Sequence, residues 1–113
     1  MAQKTVFIFF IAVVFICNAI SLSQTKSATE LFEHANKNYE SKDYQAAIAD
    51  FTDAISLQPS YAEAYCGRGL AKYCLSDYQG AIADYTKAIN LKPDFAEAYS
   101  NRGNAKGHLD DWQ

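Results

Sequence analysis

The sequence repeats itself with a period of thirty-four residues, and this repeat constrains the fold more than any other feature. Residues 43–59 read DYQAAIADFTDAISLQP, and residues 77–93 read DYQGAIADYTKAINLKP. The same text opens a third time as DWQ at residues 111–113. A period of this length, with two helical segments in each unit, is typical of helical repeat proteins in which neighbouring units bury a shared core.

Capping signals mark the first helix of each unit. Ser27, Ser60 and Asp94 each stand three residues before a glutamate. This is the spacing of a capping box, in which the first side chain accepts a hydrogen bond from the helix backbone and the glutamate reaches back. The first helices predicted from these signals are residues 28–41, 62–75 and 96–109.

Aspartates and prolines mark the second helix of each unit. Asp43, Asp77 and Asp111 are N-cap candidates, since a short carboxylate accepts hydrogen bonds from free backbone N–H groups. Pro59 and Pro93 end these helices, because proline forces the preceding residue out of the helical region. The breaks are short, so consecutive helices must lie antiparallel. The second helices predicted in full are residues 44–57 and 78–91.

The repeated apolar residues form one broad stripe on the second helices, which predicts the packing face. This stripe comprises Ala47, Ile48, Phe51, Ala54 and Ile55, and then Ala81, Ile82, Tyr85, Ala88 and Ile89. Glycines recur on the first helices at Gly69 and Gly103. A glycine inside a helix costs about 1 kcal/mol relative to alanine, so both positions predict close contact with a neighbouring helix.

These residues resemble the tetratricopeptide repeat (TPR) motif. The matching positions are Ala62-Glu-Ala-Tyr65, Arg68-Gly69, Asp77-Tyr78, Ala81-Ile82, Tyr85, Ala88-Ile89, Leu91 and Pro93. The resemblance implies an all-α, right-handed solenoid of antiparallel helix pairs whose first helices line a concave face. It divides the chain into a linker at 24–27, complete repeats at 28–61 and 62–95, and a partial third repeat at 96–113 that contains only the first helix.

Members of this family generally bind peptides or other proteins on the concave face, and the repeats themselves are not catalytic. Exposed aromatic residues beside amides suit a peptide with an apolar anchor. An alternative for Tyr39 and Tyr73 is that they fill gaps between neighbouring helices. The candidate groove residues are Phe32, Asn36, Tyr39, Cys66, Leu70, Tyr73, Ser100 and Asn104.

Some TPR domains hold the C-terminal carboxylates of a chaperone with lysine, arginine and asparagine on successive first helices. The matching positions in this sequence are Phe32, Asn36, Gly67, Glu97 and Asn101. Only Asn36 fits that pattern, and Glu97 would repel a carboxylate. We therefore do not expect this chain to contain the clamp.

Other classes of function find no support in the sequence. The net charge of −3 is small and unclustered, whereas nucleic-acid binding needs a concentrated basic face. Cys66 and Cys74 would lie roughly 12 Å apart along one helix, too far to form a disulfide. No Cys/His spacing suggests zinc. His34 and His108 have no nucleophile placed beside them by a motif, and His34 is expected to be hydrogen-bonded and partly buried. We expect a non-enzymatic protein without a cofactor.

Residues 1–23 read as a targeting segment. Lys4 precedes a continuous apolar run at 6–16, and small residues near Ala19 and Ser23 offer cleavage sites. This pattern is typical of a secretory signal peptide, which predicts an exported, periplasmic or extracellular protein. The alternative is an uncleaved N-terminal membrane anchor, although the run falls short of the about 20 residues that a span needs.

Together these features predict a protein-interaction scaffold that binds a protein or peptide, and no nucleic acid. Two alternatives remain open. The repeats could be the N-terminal accessory region of a longer enzyme or receptor, because the third repeat opens at residues 111–113 without its second helix. They could also self-associate through the open C-terminal end, because each unit needs a neighbour to bury its apolar face.

Overall fold

The structure, a computed structural model, describes residues 25–111. All five predicted helices are present, and their ends agree with the prediction to within one residue. Within residues 25–111 the regular elements are all α-helices, which confirms the predicted all-α fold class. The helices are α1 Ala28–Glu40, α2 Tyr44–Leu57, α3 Ala62–Cys74, α4 Tyr78–Leu91 and α5 Ala96–Asp110.

The predicted targeting segment at 1–23 and the last two residues lie outside the described residues. Asp111 closes α5 as its C-cap, and the helix predicted to start there also lies outside them. Between residues 25 and 111, no helix combines the length and the apolar character needed to cross a membrane.

Each helix packs on the next in sequence, and the first helices α1, α3 and α5 also contact one another in turn. Two aromatic side chains that are almost completely buried, Phe51 on α2 and Tyr85 on α4, each lie at the centre of an alanine-rich core. Ile48, Ile55 and Ile82 pack against these cores and are half-buried. The predicted packing stripe is therefore confirmed.

Three of the predicted helix caps are confirmed by their hydrogen bonds. Ser27 and Glu30 form a capping box, in which the Glu30 N–H donates to Ser27 Oγ at 3.2 Å and the Ser27 N–H donates to Glu30 Oε2 at 2.8 Å. Asp43 and Asp77 accept hydrogen bonds from the backbone three residues ahead, at 3.2 and 3.0 Å. Local capping signals therefore fix the starts of α1, α2 and α4.

The predicted capping boxes at Ser60 and Asp94 are wrong. The N-caps of α3 and α5 are Tyr61 and Phe95, and neither makes a side-chain capping bond. The turn after α2 explains this, because the Tyr61 N–H donates to the Gln58 carbonyl and leaves Ser60 inside the turn. The same kind of turn precedes Phe95.

The ends of α1 and α3 share one geometry. Lys42 and Ser76 have φ angles of 63° and 64°, in the left-handed region that favours glycine. The N–H of Asp43 donates to the Asn38 carbonyl at 2.9 Å, and the N–H of Lys42 donates to the Tyr39 carbonyl at 2.9 Å. This is a Schellman motif, and it turns the chain directly from a first helix into a second helix.

The predicted close contact is confirmed at Gly69 and stays a prediction at Gly103. A Cβ atom added to Gly69 would lie 2.8 Å from Cε1 of Tyr85, so only glycine lets α3 and α4 approach this closely. At Gly103, no described atom lies within 4 Å of the corresponding point. A helix supplying a counterpart of Tyr85 would follow Asp111, outside the described residues.

Candidate functional site

The eight predicted groove residues lie on α1, α3 and α5, but they differ in exposure. Ser100 and Asn104 are exposed, whereas Cys66 is only 3 % exposed. Cys66 packs in the core with Tyr85, and burial raises the pKa of its thiol to about 11. Cys66 therefore lies under the surface and not on it. The half-buried members are Phe32, Asn36, Tyr39, Leu70 and Tyr73.

At the α1 end, the aromatic side chains mainly contact one another. Phe32 stacks on Tyr61 with ring centroids 5.0 Å apart and meets Phe51 edge-on at 5.7 Å. The Tyr39 hydroxyl lies 3.6 Å from Cys74 Sγ on α3. This hydrogen bond is the main reason why the pKa of Tyr39 rises to about 12. These contacts favour the gap-filling alternative for Tyr39.

At the α3–α5 end, the structure brings predicted residues together around a pocket. Leu70, Tyr73 and Asn104, all predicted from the first-helix stripe, line a cavity of about 60 Å³. Tyr85 from α4 and Asn101 from α5 complete its lining. The pocket therefore combines three predicted residues with two that had been assigned to other roles.

The two other lining residues, Tyr85 and Asn101, each carry a buried polar atom. The Tyr85 side chain is completely buried, and burial raises the pKa of its hydroxyl. The Tyr85 hydroxyl has no hydrogen-bond partner among the described residues. The Asn101 Nδ2 has none of good geometry there, although Asn101 lies close enough to the Cys66 thiol to oppose the rise in its pKa. A buried polar group without a partner costs about 1–3 kcal/mol, so a water molecule or a polar group of a ligand in the cavity would lower this cost.

A wider recess of about 300 Å³ adjoins this pocket through Tyr73 and Asn104 and continues along α5 past Gly107. Its far wall is His108, whose ring stacks on Tyr78 at 4.9 Å with the two planes 4° apart. Tyr73 meets the same histidine edge-on at 5.4 Å. Tyr73 and Asn104 therefore line both cavities.

A buried ion-pair network lies between α3 and α4. Arg68 donates two hydrogen bonds to the Asp84 carboxylate, at 2.9 Å from Nε and 2.7 Å from Nη2, and Lys72 Nζ lies 3.0 Å from Asp84 Oδ2. Arg68 also donates to Thr52 on α2 at 3.2 Å. The sequence analysis did not predict this network. A signal for it was present, because Arg68 and Asp84 are sixteen residues apart, the same spacing as His34 and Asp50 in the preceding repeat.

The titratable residues offer no metal-binding cluster within residues 25–111. His34 is hydrogen-bonded to Asp50 at 2.6 Å, as predicted, while 49 % of its side chain is exposed. Cys66 and Cys74 are free thiols, one buried and one exposed.

Comparison with known proteins adds to this geometry. A family profile described as "TPR repeat" matches residues 35–76 and 69–109. No curated protein sequence matches the chain. Similar solved structures include the first TPR of Spaghetti (RPAP3) bound to the HSP90 peptide SRMEEVD, at 26 % identity and a TM-score of 0.72. That match covers 74 % of this chain and 66 % of the Spaghetti domain.

Two further structures extend the comparison. The Arabidopsis OM64 TPR domain is 31 % identical, with a TM-score of 0.74, and the match covers 76 % of this chain and 71 % of that domain. MamA is 34 % identical with a TM-score of 0.72, and the match covers 74 % of this chain. The chain spans about half of the length of MamA, 48 %. Because the profile matches residues 35–76 and 69–109, which together make up more than half of the chain, the chain belongs to the tetratricopeptide repeat family.

Proposed function

We propose that this chain is a protein-interaction scaffold that binds a peptide or protein segment along its first helices. The observation that carries the proposal is the pocket between α3 and α5. Leu70, Tyr73 and Asn104 line it beside two residues that carry buried polar atoms. The similarity to a Spaghetti domain bound to a peptide of HSP90 supports a peptide as the ligand.

The partner we propose is not an acidic C-terminal peptide. Of the five positions that match a carboxylate clamp, three are occupied by Phe32, Gly67 and Glu97, and none of the five is a cation. The cations Arg68 and Lys72 are held by Asp84. A fluorescence anisotropy titration with the peptide SRMEEVD should give no saturable binding, and tight saturable binding would contradict this part of the proposal.

The groove assignment is tested by crosslinking the protein to partners and comparing groove variants. Leu70→Ala and Asn104→Arg alter the α3–α5 surface, whereas Lys87→Ala changes an exposed residue of a second helix and serves as the control. Phe32→Leu is preferable to Phe32→Ala, because Phe32 packs on Phe51 and its loss would disturb the fold. We expect the groove variants to lose their specific crosslinks to partners, whereas Lys87→Ala should retain them.

A second candidate function is self-association through the outer side of α5. Within the described residues, no atom lies within 4 Å of a Cβ added at Gly103 or Gly107, so this side is open. A second copy packing there would bury it, as α4 buries Gly69. Light scattering at about 50 µM tests this idea, since association depends on protomer concentration, and a monomer would contradict it.

Two features of the wider protein are proposed from residues outside the described part. The segment 1–23 would direct the protein to the secretory pathway, or tether it to a membrane if it is not cleaved. N-terminal sequencing of the expressed protein separates these outcomes. Reading the coding sequence past Gln113 tests whether the repeats serve as an accessory region of a longer enzyme or receptor.

A further inference from the structure

The thirty-four-residue period allows the two junctions between repeats to be compared position by position. At the first junction, Phe51 on α2 faces Gly67 on α3, and a Cβ atom at Gly67 would lie 2.5 Å from Cζ of Phe51. At the second junction, the same two positions are Tyr85 on α4 and Asn101 on α5. A closely packed apolar pair in one junction is thus replaced by a polar pair in the next.

The two polar residues at the second junction do not form a hydrogen bond with each other. The Tyr85 hydroxyl and the Asn101 Nδ2 are buried, and neither makes a hydrogen bond of good geometry to a described residue, although Asn101 lies close enough to the Cys66 thiol to oppose the rise in its pKa. The residues that carry these atoms, Tyr85 and Asn101, both line the cavity of about 60 Å³. A single water needs only about 10–15 Å³, so the cavity has room for a small polar group.

The chemistry of the lining selects a neutral guest. None of the five lining residues is charged. Asn101 Nδ2 only donates hydrogen bonds. An ammonium or guanidinium group, which also only donates, could bond to the Tyr85 hydroxyl or to Asn104 but would leave Asn101 Nδ2 without an acceptor. Glu97 lies close enough to raise the pKa of Cys66, and its negative charge disfavours a carboxylate nearby.

We propose that this pocket binds the carboxamide of an asparagine or glutamine side chain of the bound partner. A carboxamide oxygen accepts from Asn101 and Tyr85, and its NH₂ group can donate to the Tyr85 hydroxyl or to Asn104. Leu70 and Tyr73 contact the aliphatic stem. The inference rests on the proposed function, because it specifies one anchor of the segment that binds along the first helices.

The experiment is an NMR titration of the ¹⁵N- and methyl-labelled full chain with three small probes of similar size. Propionamide carries the proposed group, while propionate and propylammonium replace it with an anion and a cation. Concentrations up to about 100 mM are needed, because a ligand of so few atoms binds weakly. The readouts are the side-chain amide signals of Asn101 and the methyl signals of Leu70. The variants are Tyr85→Phe and Asn101→Gly, which restore the residues found at the first junction.

The expected result is saturable shifts of both signals with propionamide and at least about fivefold weaker binding of the two charged probes. Each variant should also weaken propionamide binding at least about fivefold. In Asn101→Gly, which lacks the Asn101 amide, the methyl signals of Leu70 report the binding. The inference is overturned if no probe saturates, which would leave only water in the pocket. Equal binding of a charged probe, or unchanged affinity in both variants, would also overturn it. These outcomes do not depend on the crosslinking experiment. The scaffold proposal can fail while the pocket binds propionamide, and it can hold while the pocket does not bind propionamide.

Discussion

Arg68 and Asp84 form a two-point ion pair that joins α3 to α4, and the Asp84 residue is only 4 % exposed. The preceding repeat places His34 and Asp50 at the same spacing, with half of the histidine side chain exposed. The same register thus holds a buried ion pair in one repeat and a more exposed contact in the other.

Asp84→Ala should destabilise the fold by about 3–5 kcal/mol, because it leaves Arg68 and Lys72 largely buried without their carboxylate. Asp50→Ala removes the matched contact of the first repeat and should cost about 1 kcal/mol or less. Urea unfolding followed by circular dichroism measures both free energies of unfolding. Equal costs for the two substitutions would show that burial of the second pair does not matter.

Lys42→Gly and Ser76→Gly should each stabilise the protein by about 0.5–1 kcal/mol, because both residues have the left-handed backbone that costs a non-glycine residue energy. Lys42→Ala retains a Cβ atom and serves as the control, with no gain expected. Thermal unfolding of the three variants tests this. A lower melting temperature for both glycine variants would rule out the Schellman geometry as a source of strain.

Tyr85→Phe should raise the free energy of unfolding by about 1 kcal/mol, because it removes a buried hydroxyl without a partner. The reverse substitution, Phe51→Tyr, should destabilise the protein, because Gly67 lies directly against the ring and leaves no space for a hydroxyl. Urea unfolding again provides the measurement. Destabilisation by Tyr85→Phe would mean that the hydroxyl already has a partner in solution.

Cys66 should make the protein less stable in alkali. Its pKa rises from 9.0 to about 11 on burial, so the folded state favours the protonated thiol. That contribution is fully present below pH 9 and is lost as the pH rises towards 11, because the unfolded chain ionises first. Cys66→Ala should flatten the fall in stability across this window. An unchanged pH profile would show that Cys66 does not contribute.

The helices could be predicted from the sequence because their signals are local. Asp43 and Asp77 cap helices within one turn, and Pro59 and Pro93 stop them. The capping role of Ser60 failed because a neighbouring turn competes for the same residues.

The pocket could not be predicted in the same way, since it depends on which side chains meet across three helices. The sequence assigned Tyr85 to the packing stripe and Asn101 to a position of the carboxylate clamp. Cys66 read as a groove residue because it shares the free stripe, yet it is covered in the core that includes Ala98 and Ala105 on α5. Only the comparison of Phe51 with Tyr85 within the repeat hinted at a polar site.

The peptide-binding surface on α3 and α5 is tested most directly by a binding screen of the full chain against a positional-scanning peptide library. The screen is repeated with Asn104→Arg and Lys87→Ala. Our account predicts saturable binding of a subset of peptides. It also predicts that Asn104→Arg weakens that binding by at least about tenfold, a loss of about 1.4 kcal/mol, while Lys87→Ala has no effect. Specific binding that Asn104→Arg leaves unchanged, or no specific binding at all, would contradict the assignment of a peptide-binding surface to α3 and α5.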